Sequence, residues 1–181
     1  RFSRLLLDSG LDAMYLDRLI DWMDDDGAAR TLGAEDYDYL GLATPYRTSG
    51  QPFVDVTELN LILGMDSSSF EQLRNSLSAL PHLNTPVNVN TSELSVLNTI
   101  LPIPLGEVDN SIESAQDTRR PYNSVGEFLQ ASPASRRAIA ATGLSVQSNF
   151  FEVQIRANYR DRLGYLTSVL QRGNDGSIRV I

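Results

Sequence analysis

The sequence contains no cysteine and no lysine, and these two absences exclude several kinds of chemistry. Without cysteine there is no disulfide, no thiolate nucleophile and no cysteine-ligated zinc, and the cysteine content gives no information about the compartment. Without lysine there is no Walker-type phosphate loop, whose lysine reaches the phosphates, and no Schiff-base mechanism. All 15 basic residues are arginine.

Histidine and long apolar runs are also scarce. His82 is the only histidine, so a histidine-based metal site is excluded by number. No G-x-S-x-G turn accompanies any serine, and we therefore interpret His82 as an ordinary loop residue and not as part of a catalytic triad. No segment approaches the ~18 apolar residues that span a bilayer. The chain opens on Arg1 without an initiator methionine, and we expect it to be a soluble fragment of a longer protein.

The charge of the chain is negative and unevenly distributed. The formal net charge is −8, and residues 1–60 carry 12 acids against 5 arginines, whereas residues 61–181 carry 11 acids against 10 arginines. Nucleic acids and anionic membranes require clustered positive charge, so the acidic first third disfavours both as partners. It suits cations or basic protein surfaces.

Hydrophobic periodicity predicts helices first and strands last. In "LDAMYLDRLIDWM" Leu16, Leu19, Ile20 and Met23 share one helical face, "FEQLRNSLSAL" and "SPASRRAIAATG" predict further helices, and "AEDYDYL" predicts a short one. Capping boxes are predicted at Asp55/Glu58, Ser68/Glu71, Asn90/Glu93 and Ser124/Glu127. The period then changes to two in "FFEVQIRANY", and "YLTSVLQ" and "SIRVI" flank the turn "RGNDG". We therefore expect an α+β fold, with a mostly helical domain over residues 1–145 and antiparallel strands over residues 146–181.

The segment from residue 24 to residue 52 lacks periodicity and gathers carboxylates. Within "IDWMDDDGAARTLGAEDYDYLGLATPYR" there are seven acidic residues and two arginines. The acidic pairs that the loop could bring to one point are Asp24 with Asp26, and Glu35 with Asp36. Ca²⁺ takes six to eight oxygen ligands, so these pairs are candidates for a calcium site, although the spacing is not that of an EF-hand.

Other interpretations of the same residues remain open. Arg30 and Arg47 could neutralise the loop without a metal, which would make it an ordinary solvated acidic loop. The block "PVNVNTSELSVL" is similar to the opening of a helix-hairpin-helix unit, but it lacks the glycines and basic residues that grip DNA, which favours a protein-interaction module. A glycosidase-type carboxylate pair is a weaker alternative, because nothing marks two acids held across a cleft.

Several motifs occur in a specific order: "LDRLIDWMDDD", "GAEDYDYL", "PYR" and "VTELNLILGM", over roughly residues 11–65. Their order and spacing resemble the minor pseudopilin K family of type II secretion systems (general secretion pathway protein K). The later "PVNVNTSEL" block and the terminal strands fit the same family. The resemblance covers nearly the whole chain.

The resemblance implies a non-enzymatic assembly protein. Members of the family carry a helical domain, here with SAM-like or helix-hairpin-helix-like units, inserted into a pseudopilin-type core. They assemble with minor pseudopilins I and J at the tip of the pseudopilus. By this resemblance the chain is the periplasmic domain of a bacterial inner-membrane protein, joined to the membrane through an N-terminal helix that this sequence does not contain.

The resemblance also implies bound calcium. The family binds calcium in the inserted domain, and the matching positions carry the ligands over to Asp24, Asp26, Glu35 and Asp36. One or two structural Ca²⁺ ions are expected, with no catalytic residues and no organic cofactor. Since the chain has no cysteine, the metal is also expected to be the only staple of the long loop.

Overall fold

A computed structural model describes residues 1–82, 84–101, 121–131 and 142–181. The helices within these ranges are α1 (Phe2–Asp8), α2 (Met14–Met23), α3 (Asp36–Leu40), α4 (Ser67–Leu73), α5 (Leu94–Ile100) and α6 (Val125–Ala131), with 3-10 turns at Val56–Leu61 and Arg74–Ser76. The strands are β1 (Val87–Asn88), β2 (Leu144–Ser145), β3 (Phe150–Tyr159), β4 (Arg162–Arg172) and β5 (Ile178–Val180). Helices followed by antiparallel strands confirm the predicted α+β class.

The three C-terminal strands form one antiparallel sheet in the order β3-β4-β5. The register of β3 and β4 runs from Phe150 opposite Gln171 to Tyr159 opposite Arg162. The second hairpin closes through "GNDG", where Gly176 has a φ of 82° that favours glycine. The three predicted strands are therefore confirmed. β1 and β2 form a separate parallel pair.

The helices build two hydrophobic cores. The first core is formed by the four helices α1, α2, α3 and α4 and by the segments between them. Its buried apolar residues are Leu5, Leu6, Tyr15, Trp22, Ala34, Tyr39, Leu59, Ile62, Phe70 and Leu73. On α2 the buried apolar residues are Tyr15 and Trp22. The predicted stripe, including Leu16, Leu19 and Met23, packs against the core but is only partly buried. The face of α2 that enters the core is therefore rotated from the predicted one.

The second core contains Val89, Leu97, Leu101, Tyr122, Phe128 and Leu144. Asn90 ties its segments together, because its Nδ2 donates to the carbonyls of Tyr122 and Val146 at 3.1 and 3.2 Å. Its Oδ1 accepts the N–H of Tyr122 at 2.8 Å. The predicted Asn90/Glu93 capping box is wrong because these tertiary bonds use the Asn90 side chain, and α5 begins one residue after Glu93.

The other predicted helix starts have mixed outcomes. The Asp55/Glu58 capping box is confirmed, and Ser124 caps α6 through the N–H of Glu127. The Ser68/Glu71 box is wrong, because Asp66 is the N-cap and accepts the N–H of Ser69.

Two predicted helices differ from the structure in other ways. The helix predicted for "FEQLRNSLSAL" ends early, at Leu73 with a 3-10 turn to Ser76, where asparagine and serine favour local bonds over helix continuation. The helix predicted for "SPASRRAIAATG" lies almost wholly outside the described residues.

One face of the three-stranded sheet is apolar and exposed. Residues paired across the strands share a face, so Ile155 lies beside Leu166, and Val180 continues the row of Leu170. The large apolar residues of this face that are 44–70% exposed are Phe151, Ile155, Tyr159, Leu166, Ile178 and Val180. In the described part of the chain, no helix is long and apolar enough to cross a membrane.

The contacts of Asn90 predict a specific loss of stability. Asn90→Asp replaces an amide that donates to two carbonyls by a carboxylate that repels them. We expect unfolding to become easier by about 1–2 kcal/mol, the magnitude of a lost buried hydrogen bond. Urea denaturation would measure this, with Asn174→Asp in the exposed β4–β5 turn as a control of equal charge change. An equal effect of both substitutions would contradict the role of Asn90.

Candidate metal centre

The acidic site begins where α2 ends. Asp24 leaves helical geometry, with φ −82° and ψ 168°. Three consecutive aspartates are unfavourable at the negative end of the helix dipole and have low helix propensity, so the sequence itself explains this end. The chain therefore turns away from α2 at a point where carboxylates are already concentrated.

The loop then folds back onto α2 through carboxylates of that helix. The N–H of Arg30 donates to Asp21 Oδ2 at 3.0 Å, and the N–H of Leu32 donates to Asp17 Oδ2 at 3.1 Å. At Gly33 an added Cβ would lie 1.7 Å from Asp21 Oδ2, so only glycine fits against this carboxylate. Asp17 and Asp21 thus set the path of the returning chain.

The returning chain brings Glu35 to the start of α3. Glu35 has extended backbone geometry at the N-cap position, and its N–H donates to Asp38 Oδ2 at 3.0 Å. Its side chain points back toward the end of α2 and is only 7% exposed. The predicted short helix in "AEDYDYL" is confirmed as α3.

Three of the four predicted ligands lie together. Asp24, Asp26 and Glu35 each offer a carboxylate oxygen, and these oxygens lie within 4.8 Å of one another. Two buried atoms of this cluster, Asp24 Oδ1 and Glu35 Oε1, have no hydrogen-bond partner among the described residues. Buried polar atoms without partners are uncommon and costly, so the cluster has the chemistry of a site that accepts a cation.

Asp36, the fourth predicted ligand, points elsewhere. Its Oδ1 accepts the N–H and the hydroxyl of Thr48 at 2.9 and 3.0 Å, and its Oδ2 pairs with Arg47. The N–H of Thr48 is the largest cause that lowers the pKa of Asp36. Asp36 is therefore satisfied by protein groups, in contrast to the cluster.

Asp21, which is not among the four predicted ligands, belongs to the same electrostatic neighbourhood. It is fully buried in the last turn of α2. Burial raises the pKa of Asp21, the charge of Asp24 adds to this, and the N–H of Arg30 opposes it. The signal that could have found it is the spacing of Asp17, Asp21 and Asp24, which places these acids on one face at the end of the helix.

The pKa of Glu35 reflects burial and repulsion between the neighbouring carboxylates. Burial raises the pKa of Glu35, and the charges of Asp21, Asp24 and Asp26 raise it further. The nearby guanidinium of Arg30 lies 3.3 Å from Asp21 Oδ1 and 3.9 Å from Asp24 Oδ2. Within the described part of the chain, this guanidinium pairs with two of the four acids. Hard cations such as Ca²⁺ prefer carboxylate oxygens, so the residues fit the expected ion.

An aromatic cluster anchors the loop independently of any ion. The rings of Trp22, Tyr39 and Tyr46 lie 5.3–6.1 Å apart, with Trp22 edge-on to both tyrosines. The hydroxyl of Tyr39 accepts the N–H of Leu63 at 3.2 Å. The expectation that a metal is the only staple of this loop is wrong, because the loop inserts its own aromatic residues into the first core.

Comparisons with known proteins agree on one class, the components of a bacterial secretion machinery. The family model described as type II secretion system (T2SS), protein K matches residues 1–82. The protein named type II secretion system protein K from Pseudomonas aeruginosa is 33% identical over 186 residues, covering 100% of this chain and 55% of that protein. The protein of the same name from Klebsiella pneumoniae is 34% identical over 160 residues, covering 83% of this chain and 49% of that protein.

The chain belongs to the type II secretion system protein K family, and it spans about half the length of the curated relatives that it matches. The fold is also similar to a chain in the crystal structure of the GspK-GspI-GspJ complex from the type 2 secretion system of enterotoxigenic Escherichia coli. That match has a TM-score of 0.79 and 21% sequence identity, and it covers 99% of this chain and 67% of the other.

The close approach at Gly33 predicts a large difference between two glycines of the loop. In Gly33→Ala the new methyl group collides with Asp21, and we expect a loss of about 1–3 kcal/mol, as for overpacking. Gly27→Ala is the matched control, because nothing lies within 4 Å of its added Cβ. Thermal unfolding of both variants would measure the difference, and equal melting temperatures would contradict the described approach.

The aromatic anchor predicts a second difference between matched residues. Tyr39 is fully buried and Tyr37 is 88% exposed. We expect Tyr39→Phe to lower stability by about 1 kcal/mol, since the N–H of Leu63 loses its acceptor, and Tyr37→Phe to change nothing. Chemical denaturation monitored by Trp22 fluorescence would test this. An unchanged Tyr39→Phe variant would exclude the hydrogen bond as an anchor.

Proposed function

We propose that this chain is the periplasmic part of a minor pseudopilin, which assembles with minor pseudopilins I and J at the tip of the type II secretion pseudopilus. The observation that carries the proposal is the 33% identity to type II secretion system protein K along the whole chain. The similar fold in the GspK-GspI-GspJ complex supports it. The role is one of assembly and not of catalysis, and the longer protein is held at the inner membrane by a helix outside this sequence.

The two parts of the fold have different tasks in this proposal. Residues 1–145 form the inserted helical domain, with helix-hairpin-helix-like or SAM-like units, and residues 146–181 belong to the pseudopilin core. A three-stranded sheet of this size needs an apolar surface to pack on, and its exposed apolar face supports membership of a larger core. A bulky helical domain beside the core would prevent another subunit from stacking above it, which suits a tip position.

Calcium has a structural role in this proposal. Asp24, Asp26 and Glu35 would hold the ion, and its charge would offset the repulsion among their carboxylates. Asp36 would join them only after exchanging its bonds to Thr48 and Arg47. The ion would fix the end of α2 to the start of α3. The ion pairs of Arg30 favour the competing possibility, an extracytoplasmic interaction module whose loop needs no metal.

The assembly role predicts a stable ternary complex. The periplasmic region of the full protein, mixed with the periplasmic regions of minor pseudopilins I and J from the same organism, should co-elute with both in size-exclusion chromatography. The major pseudopilin of that organism is the control and should not replace them. Distribution of the full-length protein along the shaft of the filament, seen by immunogold labelling, would contradict the tip position.

The calcium role predicts ion-specific stabilisation. A ligand that binds only the folded state stabilises it by about 2.7 kcal/mol at a hundredfold excess over Kd, which corresponds to a rise of about 5–10 °C in the melting temperature. We expect this rise in excess Ca²⁺ relative to EGTA, and a much smaller one in Mg²⁺, which dehydrates reluctantly.

Two neighbouring aspartates provide the matched pair for this experiment. Asp26→Asn should abolish the calcium-induced rise, whereas Asp25→Asn, outside the three-residue cluster, should retain it. Both variants lose one negative charge, so a general charge effect would act on them equally. If the melting temperature of the wild-type protein responds to neither ion, the result would support the alternative in which the loop binds no metal.

A further inference from the structure

Arg30 contacts the acidic cluster from within the same loop. Its Nε lies 3.3 Å from Asp21 Oδ1 and its Nη2 lies 3.9 Å from Asp24 Oδ2, while 48% of the side chain is exposed. Among the residues that the structure describes, the ion pairs to these two aspartates come from Arg30. The guanidinium thus stands at the edge of the site, where solvent can replace it.

The two oxygens of Asp24 have different surroundings. Oδ2 faces Arg30, whereas Oδ1 is buried and has no hydrogen-bond partner in the described part of the chain. Glu35 is more than nine-tenths buried, and its Oε1 likewise has no partner within the described ranges. Arg30 therefore offsets part of the negative charge of the cluster but leaves the inward-facing oxygens unused. Those oxygens point to a second cation and not to the arginine.

We propose that Arg30 is a built-in counter-cation, which holds the loop closed in the metal-free protein and weakens calcium binding. This inference rests on the proposed calcium site. Without an ion, the guanidinium offsets the repulsion among Asp21, Asp24 and Glu35. With an ion bound, the positive charges of arginine and Ca²⁺ repel each other at short range. Arg30 therefore stabilises the empty site and lowers its affinity for calcium.

The main chain at residue 30 allows this role to be separated from folding. The N–H of Arg30 donates to Asp21 Oδ2 at 3.0 Å, and this backbone bond does not depend on the Arg30 side chain. Arg30→Gln retains that bond and a polar side chain, and it removes only the positive charge. Arg30→Lys retains the positive charge but replaces the planar guanidinium group by an ammonium group. Asp21 acts as a positioning residue, because it holds Arg30 through both the backbone and the guanidinium.

The test combines two measurements on the periplasmic region of the full protein: the melting temperature in EGTA and the Kd for CaCl₂ by isothermal titration calorimetry. We expect Arg30→Gln to melt at a lower temperature in EGTA and yet to bind calcium about tenfold more tightly, the order expected for one unit charge beside a divalent ion in a water-like medium. Arg30→Lys should stay close to the wild type in both measurements.

A control separates the local effect from the change in net charge. Arg74→Gln also removes one positive charge, but Arg74 pairs with Glu71 on α4 and lies outside the cluster. It should leave the calcium Kd unchanged. Weaker or unchanged calcium binding by Arg30→Gln, in a protein whose wild type binds calcium, would overturn the inference and make Arg30 an orienting residue. A wild type that binds no calcium would overturn the proposed calcium site itself.

Discussion

Asp21, a carboxylate fully buried in the last turn of α2, organises the acidic site. It receives the N–H of Arg30, pairs with the Arg30 guanidinium and leaves room at Gly33 only for a hydrogen atom. A buried carboxylate is costly unless it is compensated, and here the returning loop supplies the compensation. The positions of Glu35 and of α3 follow from this contact, because both come directly after the segment that Asp21 holds.

Two sets of contacts, aromatic and carboxylate, thus fix the same loop, and they act on different parts of it. The aromatic rings of Trp22, Tyr39 and Tyr46 pack its second half into the first core, whereas carboxylates bend its first half around the end of α2. The second half is held by these aromatic contacts with the core. In the first half, buried oxygens of Asp24 and Glu35 have no partner among the residues that the structure describes, so a cation would add most of its stabilisation there. A structural ion in such a place would stiffen the surface of the domain without being required for its core.

The fold class and most of the site could be predicted from the sequence, because both rest on local signals. The period-two pattern of β3 and the clustering of acidic residues near Asp24 and Glu35 can both be seen in the amino-acid sequence. The burial of Asp21 and the diversion of Asp36 to Thr48 could not be predicted, since both depend on contacts across 9 and 12 residues of irregular chain. The capping box predicted at Asn90 is wrong for the same reason. The local sequence fits a helix cap, but the Asn90 side chain bonds instead to carbonyls that are 32 and 56 residues away in the chain.

The most direct test of the central claim is terbium luminescence, because Tb³⁺ occupies calcium sites and emits when a nearby aromatic ring transfers energy to it. Trp22 is the only tryptophan and precedes the cluster by two residues, so it should act as the donor. With an ion at this site, we expect emission that is excited through Trp22, that Ca²⁺ displaces more readily than Mg²⁺, and that is lost in Glu35→Gln. Absence of sensitised emission, or emission that survives Glu35→Gln unchanged, would contradict a metal centre at this end of α2.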